Sequence, residues 1–438
     1  MRKNIFAMKV KRKLKGIISE MTEFLDSYVM NPGKDFVRNR KLGFEKTIEL
    51  IIGMSGETLR DELLEYFTYD EGLASVSALC QQRGKLKLEA FRHIFETFTA
   101  TAIKLKLYKG YRLLAVDGSS LNIYHNPDNP DSYIRHSGCS KGYSSLHLNA
   151  LFDLKNKLYV DAYIQPGRKM NEYQSLCTMV DRSKIKGKVI VIGDRGYESY
   201  NAIAHVIEKG WNYLIRAKDV KSNCIARALD LPQDETFDTI VTIQLSRSKA
   251  KKIKDAYPYY KHLVSSQPFD FLKNTKDVYE MTIRVVRIKG PEGAYRLLFT
   301  NLPKDEFSYD DINELYNQRW GIETSFRELK HVVGLIYFHS KKVEFIHQEI
   351  YASLILYNFC EMITMQVVIK QKKTKYVYQV NFTAAIDICR EFFNTKKNKR
   401  PPNVEALIQR FVLPVREGRK FDRSVRRGHV ISFNYRLS

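Results

Sequence analysis

The spacing of apolar residues changes its grammar along the chain. Through 42–53, 59–67 and 87–107 apolar positions recur every three or four residues, which predicts helices. Asn31-Pro32-Gly33 breaks the first segment, and VRNRKL at 37–42 reads as a basic turn. At residue 111 the pattern becomes that of strands. YRLLAVD (111–117) predicts a buried strand ending in a carboxylate, and 118–144 predicts a long polar loop. Residues 146–167 predict a β-hairpin turning near Lys155–Asn156–Lys157, with Leu158, Val160, Ala162 and Ile164 alternating on its second strand. A helix capped by Asn171, the apolar strand KVIVIGD (188–194), a helix over 197–210 and a strand over 211–217 follow. Strands alternating with helices predict an α/β core. From 218 to 300 the strands FDTIVTIQLS, VYEMTIRVVRI and YRLLFTNL succeed one another with no helix between, a β-rich insertion.

Residues 308–335 read as one long helix, with Ser308 as N-cap, Asp310 and Asp311 in the first turn and Gly334 as the stop. At about 100° per residue, Leu315, Ile322, Phe326, Leu329 and Val333 make an apolar stripe. Tyr316, Arg319, Glu323, Arg327 and Lys330 make a polar ridge beside it. Taken alone, the ridge is first of all an Arg319–Glu323–Arg327 salt-bridged surface. The next helix, 343–369, carries an apolar run interrupted by Asn358, Glu361 and Gln366, which suits a buried core helix rather than a membrane span. Helices are also predicted at 382–394 and 403–412, ahead of an extended end.

Composition adds a partner. The chain has 438 residues, enough for two to four units, and 72 Lys and Arg against 49 Asp and Glu, a net charge of +23. Such an excess points to nucleic acid or another anionic surface. Residues 370–438 hold 17 basic against 5 acidic residues, a density that favours phosphate contact over a merely solvated tail. Most of the 27 tyrosines fill strand and helix faces; the rest suit a nucleic-acid surface. Cys80, Cys139, Cys177, Cys224, Cys360 and Cys389 are scattered without metal-finger spacing, as expected of reduced thiols in a cytosolic protein. The basic N-terminus lacks the apolar run of a signal peptide.

Asp117 in AVDGS and Asp194 in GDRGY stand at predicted strand ends, where α/β sheets build sites. Each alone is ordinary turn composition. With Glu323 they become three carboxylates on two strands and a helix, a set that can hold two Mg²⁺ ions for in-line displacement at phosphorus. No His or Cys cluster suits zinc. His125, His136 and His147 lie in or beside the 118–147 loop, where unliganded histidines are commoner than proton-transferring ones. Arg195, Lys141 and Tyr143 are further candidate DNA contacts, Arg195 alternatively pairing with a carboxylate.

The helix spells Tyr316-x2-Arg319-x3-Glu323-x6-Lys330. This resembles the Tyr-Arg-Glu-Lys signature of DDE transposases of bacterial insertion sequences, in the insertion sequence 4 family. The order Asp, Asp, β-rich insertion, Glu, the wording AVDGS and DRGY, and the basic flanks match too, over nearly the whole chain. The resemblance implies an α/β fold with a ribonuclease-H-like catalytic core, a mixed sheet flanked by helices, at 106–217 and 301–370. A β-rich insertion domain (218–300) interrupts it. A helical N-terminal DNA-binding domain (1–105) and a basic C-terminal region (371–438) flank it.

By position, Asp117, Asp194 and Glu323 would be the catalytic, metal-binding triad for two Mg²⁺ ions, with Mn²⁺ able to substitute. Tyr316, Arg319 and Lys330 would grip DNA. The implied reaction is nicking of double-stranded DNA at the element's terminal inverted repeats, release often through a hairpin, and strand transfer to target DNA. The implied active form is a synaptic homodimer in the bacterial cytoplasm, associated with the nucleoid and with no membrane. One position departs from the pattern. Hairpin-forming relatives use an insertion-domain Trp before an L-L-x-T strand, where AYRLLFTNLP (294–303) here has Arg296 beside Tyr295. A Tyr295 ring or an Arg296 guanidinium plane could stack a flipped base instead. Trp211 reads as packing and Trp320 as a neighbour of the ridge. Two other readings stay open here: a nuclease that cuts without joining, and a non-catalytic DNA-binding derivative, which the intact carboxylates speak against.

Overall fold

The computed structural model describes residues 4–102, 105–135, 137, 142–218, 224–290, 293–369, 371, 376–396 and 399–415. His136, Cys139, Lys141 and the tail beyond 415 lie outside the described residues. The helical periodicity at the N-terminus becomes α1 (Ile5–Glu20), α2 (Leu25–Tyr28), α3 (Phe44–Gly53), α4 (Leu59–Tyr66), α5 (Val76–Arg83) and α6 (Leu88–Ala100). Thr58 and Ser75 cap α4 and α5 by accepting the backbone N–H of Asp61 and Ala78.

The middle of the chain supplies β1 (Arg112–Ile123), β2 (Tyr133–Ile134), β3 (Tyr143–Asp153), β4 (Leu158–Pro166), α7 (Glu172–Arg182), β5 (Val189–Gly193), α8 (Tyr200–Glu208) and β6 (Asn212–Ala217). Then come β7 (Phe237–Ser246), α9 (Lys251–Ala256), β8 (Tyr260–His262), β9 (Val278–Lys289) and β10 (Tyr295–Thr300). All ten strands form one mixed sheet in the order β2-β3-β1-β5-β6-β10-β9-β7-β8, with β4 also on β3. Strands β1, β5 and β6 run parallel, and β10 joins antiparallel to β6. The β-rich stretch therefore extends the central sheet instead of making a sheet of its own.

Alternation along β1 divides the two faces. Leu114 and Val116 enter a core with α7 and α8. Leu113 and Ala115 point the other way, toward α10 (Tyr309–Gln318), α11 (Trp320–His331) and α12 (Val343–Thr364). That second face also gathers α1, α3, α5 and α6, so the N-terminal helices share one hydrophobic core with α12. Helix α12 is buried for most of its length. No helix among the described residues is long and apolar enough to cross a membrane.

Two expectations are corrected. The strand predicted to end at Asp117 runs on to Ile123, because β3 pairs with it from Leu114 through Ile123. What stops early is the parallel pairing with β5, whose last partners are Ala115 and Ile192. Residues 118–123 are thus strand rather than loop, and His147 sits on β3. Second, 308–335 is two helices broken at Arg319. The Arg319 N–H bonds to the Tyr316 carbonyl and the Ile322 N–H to the Arg319 carbonyl, a pair of tightened i to i+3 turns. The apolar stripe stays in phase across the break, and Ser308 with Asp311 forms a full capping box. The helices predicted at 382–394 and 403–412 are present, and the basic C-terminal region contributes to the core before it leaves the described residues. Here α13 (Phe382–Asn394) and α14 (Val404–Arg410) bury Ile386, Cys389, Phe392, Phe393 and Ile408, while β11 (Val377–Val380) pairs with β12 (Val412–Val415).

Candidate active site

The parallel register of β1 and β5 builds the centre. Two residues beyond the last paired positions, Ala115 and Ile192, come Asp117 and Asp194, which stand abreast. Asp117 shares the face of Leu113 and Ala115, the face that α10 and α11 cover. Its Oδ1 accepts the Gly118 N–H at 2.9 Å. Asp194 caps a 3₁₀ turn, Arg195–Tyr197, its Oδ1 accepting the Gly196 N–H at 2.7 Å. Arg195 itself is exposed.

Glu323 lies in the first turn of α11, over Asp117. Arg319 Nη2 donates to Glu323 Oε1 at 2.7 Å, and Arg319 Nη1 stands 3.9 Å from Asp117 Oδ2. One guanidinium, at the helix break, therefore links two of the three carboxylates, so the Arg319–Glu323 half of the salt-bridged reading is real. Arg319 is 7 % exposed, and its Nε is buried without a hydrogen-bond partner among the described residues. Burial pushes the Asp117 carboxyl up to about 6; Asp194 and Glu323 push the same way, against the Gly118 N–H and Arg319.

Farther along α11, Lys330 Nζ donates to the Ser120 carbonyl on β1 at 2.7 Å. Seven residues of helix and three of strand each advance about 10 Å, so α11 tracks β1 with Glu323 above Asp117 and Lys330 above Ser120. Burial lowers the Lys330 ammonium's affinity for its proton. A cavity of about 200 Å³ opens beside it, lined by Ser120, Asn122, Tyr124, His331 and Phe338 among others.

Tyr316 is buried, with the Arg296 guanidinium 5.7 Å and that of Arg319 5.9 Å from its ring centre. Arg296 Nη1 also donates to Asn317 Oδ1 at 2.8 Å. Trp320 is half exposed beside Arg319. Tyr295, the neighbour of Arg296 on β10, is turned elsewhere: its hydroxyl donates to Glu235 and Arg287 lies over its ring. The ridge thus gathers Arg296, Tyr316, Arg319, Glu323 and Lys330 but not Tyr295. Exposed Arg327 follows it on the outside. His125 meets Ser144 Oγ at 3.2 Å and packs on Tyr133, Tyr143 begins β3, and Trp211 is in the core.

No spacing in the sequence points to Glu172, yet it reaches Gly118 and Gly196, beside the two aspartates, from the α7 side, paired with His147 at 3.1 Å. The signal, legible only afterwards, is the glycine one or two residues past each aspartate.

Carboxylate oxygens are the right donors for a hard divalent cation. As the side chains stand, no three His, Cys, Asp or Glu groups among the described residues converge enough to hold a metal ion. Arg319 instead bridges Asp117 and Glu323. The donor chemistry fits such an ion.

Residues 108–359 match the family described as Transposase DDE domain. The chain is 23 % identical over 447 residues to the transposase InsG for insertion sequence element IS4 of Escherichia coli (strain K12), covering 94 % of this chain and 93 % of that one. It is 27 % identical over 191 residues to the transposase for insertion sequence element IS421 of Escherichia coli, covering 40 % and 51 % of the two chains. A chain of the piggyBac transposase synaptic complex with hairpin DNA aligns with a TM-score of 0.45 and 12 % identity over 90 % of this chain and 81 % of that one, a likeness too weak to add weight.

Proposed function

Because the chain belongs to the DDE transposase domain family, we propose that Asp117, Asp194 and Glu323 carry its chemistry. The activity is that of an insertion-sequence transposase, DNA cleavage followed by strand transfer. The observation that carries the residue assignment is the register of β1 and β5, which sets two carboxylates abreast beneath a helix bearing the third.

The three carboxylates would hold divalent ions, Mg²⁺ or Mn²⁺, which when bound would activate the attacking oxygen and stabilise the leaving one. Arg319 orients Glu323 and Asp117 through its two nitrogens. Tyr316, packed between two guanidinium groups, fixes the slant of both. Lys330, anchored over Ser120, and Arg296 meet DNA phosphates along the ridge. Arg296 also offers the guanidinium plane on which an unstacked base can rest; Tyr295, held by Glu235, takes a lesser part.

The central sheet is of ribonuclease-H-like type on this reading. Residues 1–105 recognise the element's ends, 106–217 with 301–370 carry the catalysis, and 218–300 and 371–438 add DNA contacts. This is a division of labour, since the N-terminal helices pack on α12. A homodimer pairs two double-stranded ends and acts on target DNA in the bacterial nucleoid.

A strand-transfer assay with labelled ends tests the assignment. Wild type cuts and joins with Mg²⁺. Glu323→Gln is expected to do neither while binding ends within several-fold of wild type. Mg²⁺-dependent cutting by that variant removes Glu323 from the centre.

A further inference from the structure

Behind the two aspartates, on the side away from Arg319, lies a pair with no part in the proposed triad, a buried histidine and a partly exposed glutamate. Glu172 opens α7, held there by the Asn171 cap. Its Oε1 is 3.1 Å from His147 Nε2. His147 is 6 % exposed on β3, and its Nδ1 is 3.4 Å from Ser120 Oγ, the residue it faces across the β1–β3 ladder. The imidazole thus fixes the carboxylate to the strand that carries Asp117.

Two glycines show how close that carboxylate comes. A Cβ at Gly118 would stand 2.7 Å from Glu172 Oε1 and 2.3 Å from His147 Nε2. A Cβ at Gly196 would stand 3.1 Å from Glu172 Oε2 and 2.8 Å from Asp194 Oδ1. One carboxylate therefore rests against the residue after Asp117 and the residue two past Asp194, one oxygen toward each. A Cβ at Gly118 would push the carboxylate and the imidazole away, and one at Gly196 would crowd the other oxygen. The Tyr197 hydroxyl, fully buried in the Asp194 turn, has no hydrogen-bond partner among the described residues, so nothing from that residue competes for the position.

We propose that Glu172, oriented by His147, is a positioning residue of the catalytic centre: wedged between Gly118 on β1 and Gly196 in the Asp194 turn, it sets the spacing of Asp117 and Asp194 for divalent cations. The proposal rests on the assignment of those aspartates as metal ligands. Groups that orient ligands from outside the coordination sphere change metal affinity about 10- to 100-fold when removed.

The test is Mn²⁺ titration of the DNA-free full-length protein, following the electron paramagnetic resonance of free Mn²⁺. Wild type, Glu172→Gln, His147→Gln, Gly118→Ala and Asp194→Asn are compared, with thermal unfolding in EDTA as the control for folding. Glu172→Gln is expected to bind Mn²⁺ at least tenfold more weakly, and His147→Gln several-fold more weakly, with metal-free midpoints close to wild type. Gly118→Ala displaces the carboxylate without removing its charge, and it should weaken Mn²⁺ binding as Glu172→Gln does. If Asp194→Asn loses Mn²⁺ while Glu172→Gln and Gly118→Ala bind it like wild type, the wedge is wrong and the triad stands. If Asp194→Asn binds Mn²⁺ like wild type, the metal-ligand assignment fails and takes the wedge with it.

Discussion

Replacing Arg83 by Met should cost the fold about 3–4 kcal/mol, more than most single substitutions. Arg83 closes α5 and is 2 % exposed. Its Nε donates to Gln348 Oε1 at 2.9 Å and its Nη1 to Glu349 Oε1 at 2.8 Å, while Nη2 reaches the Phe345 carbonyl. The second Glu349 oxygen takes the His339 N–H at 3.0 Å and meets its ring Nδ1 at 3.2 Å. His339 Nε2 lies 3.5 Å from Glu62 on α4, so the network ties two N-terminal helices to α12.

Two routes give the magnitude. Burial pushes the Glu349 carboxyl up, but Arg83 and His339 outweigh it and bring it from the usual 4.5 down to about 2. For a fully buried group that difference is worth about 3 kcal/mol. Stripping one partner from a buried ion pair costs about 3–5 kcal/mol by mutational precedent. Met keeps the stem's volume, so packing loss adds little. The sign over pH follows from the depressed value: the stabilisation is complete above about 4.5 and is lost as pH falls toward 2. Equilibrium urea unfolding at pH 7 and at steps from 5 to 3 reads both effects. A loss under about 1 kcal/mol at pH 7, or an acid slope in Arg83→Met as steep as in wild type, would refute the reasoning.

Asn358 holds both backbone groups of Tyr159, with Oδ1 accepting its N–H at 2.9 Å and Nδ2 donating to its carbonyl at 2.8 Å. Asn358→Leu orphans both inside the core, so urea unfolding should register a loss of about 2–4 kcal/mol; a change within experimental error contradicts this. Lys330→Ala should weaken binding to element ends and lower the slope of log affinity against log salt by about 0.9. A filter-binding series with an unchanged slope would take Lys330 off the phosphates.

Much of this architecture is written in local periodicity. The helices at 44–53, 59–66 and 88–100, the hairpin of β3 and β4, and Asp194 at the end of β5 all follow from the spacing of apolar residues and from caps such as Asn171. What local pattern could not carry is pairing at a distance. Gly118-Ser119-Ser120 has the composition of a turn, and only the β3 partner makes it strand. The break at Arg319 leaves the apolar stripe in phase, so it has no signature in the pattern. The signature residues of α10 and α11 fixed a ridge, but not that Arg319 bonds to Glu323 while Tyr295 turns away from it. Glu172 and His147 meet through β3 and α7, 25 positions apart in the chain. In the C-terminal region the helix at 382–394 was legible, but not that Ile386, Cys389, Phe392 and Phe393 enter the same core as α12.

The core that α12 shares with the N-terminal helices also sets a schedule for synthesis. Phe91, Phe95 and Phe98 of α6 lie in that core together with Ile355 and Phe359, which the ribosome adds much later. At about 5–20 residues per second the wait between the end of α6 and the end of α12 is roughly ten to fifty seconds. Throughout it, the first hundred residues are translated, but the apolar faces that α12 covers have only one another to pack on. A ribosome that stops before α12 therefore releases N-terminal helices that lack a large part of the core they share in the finished chain.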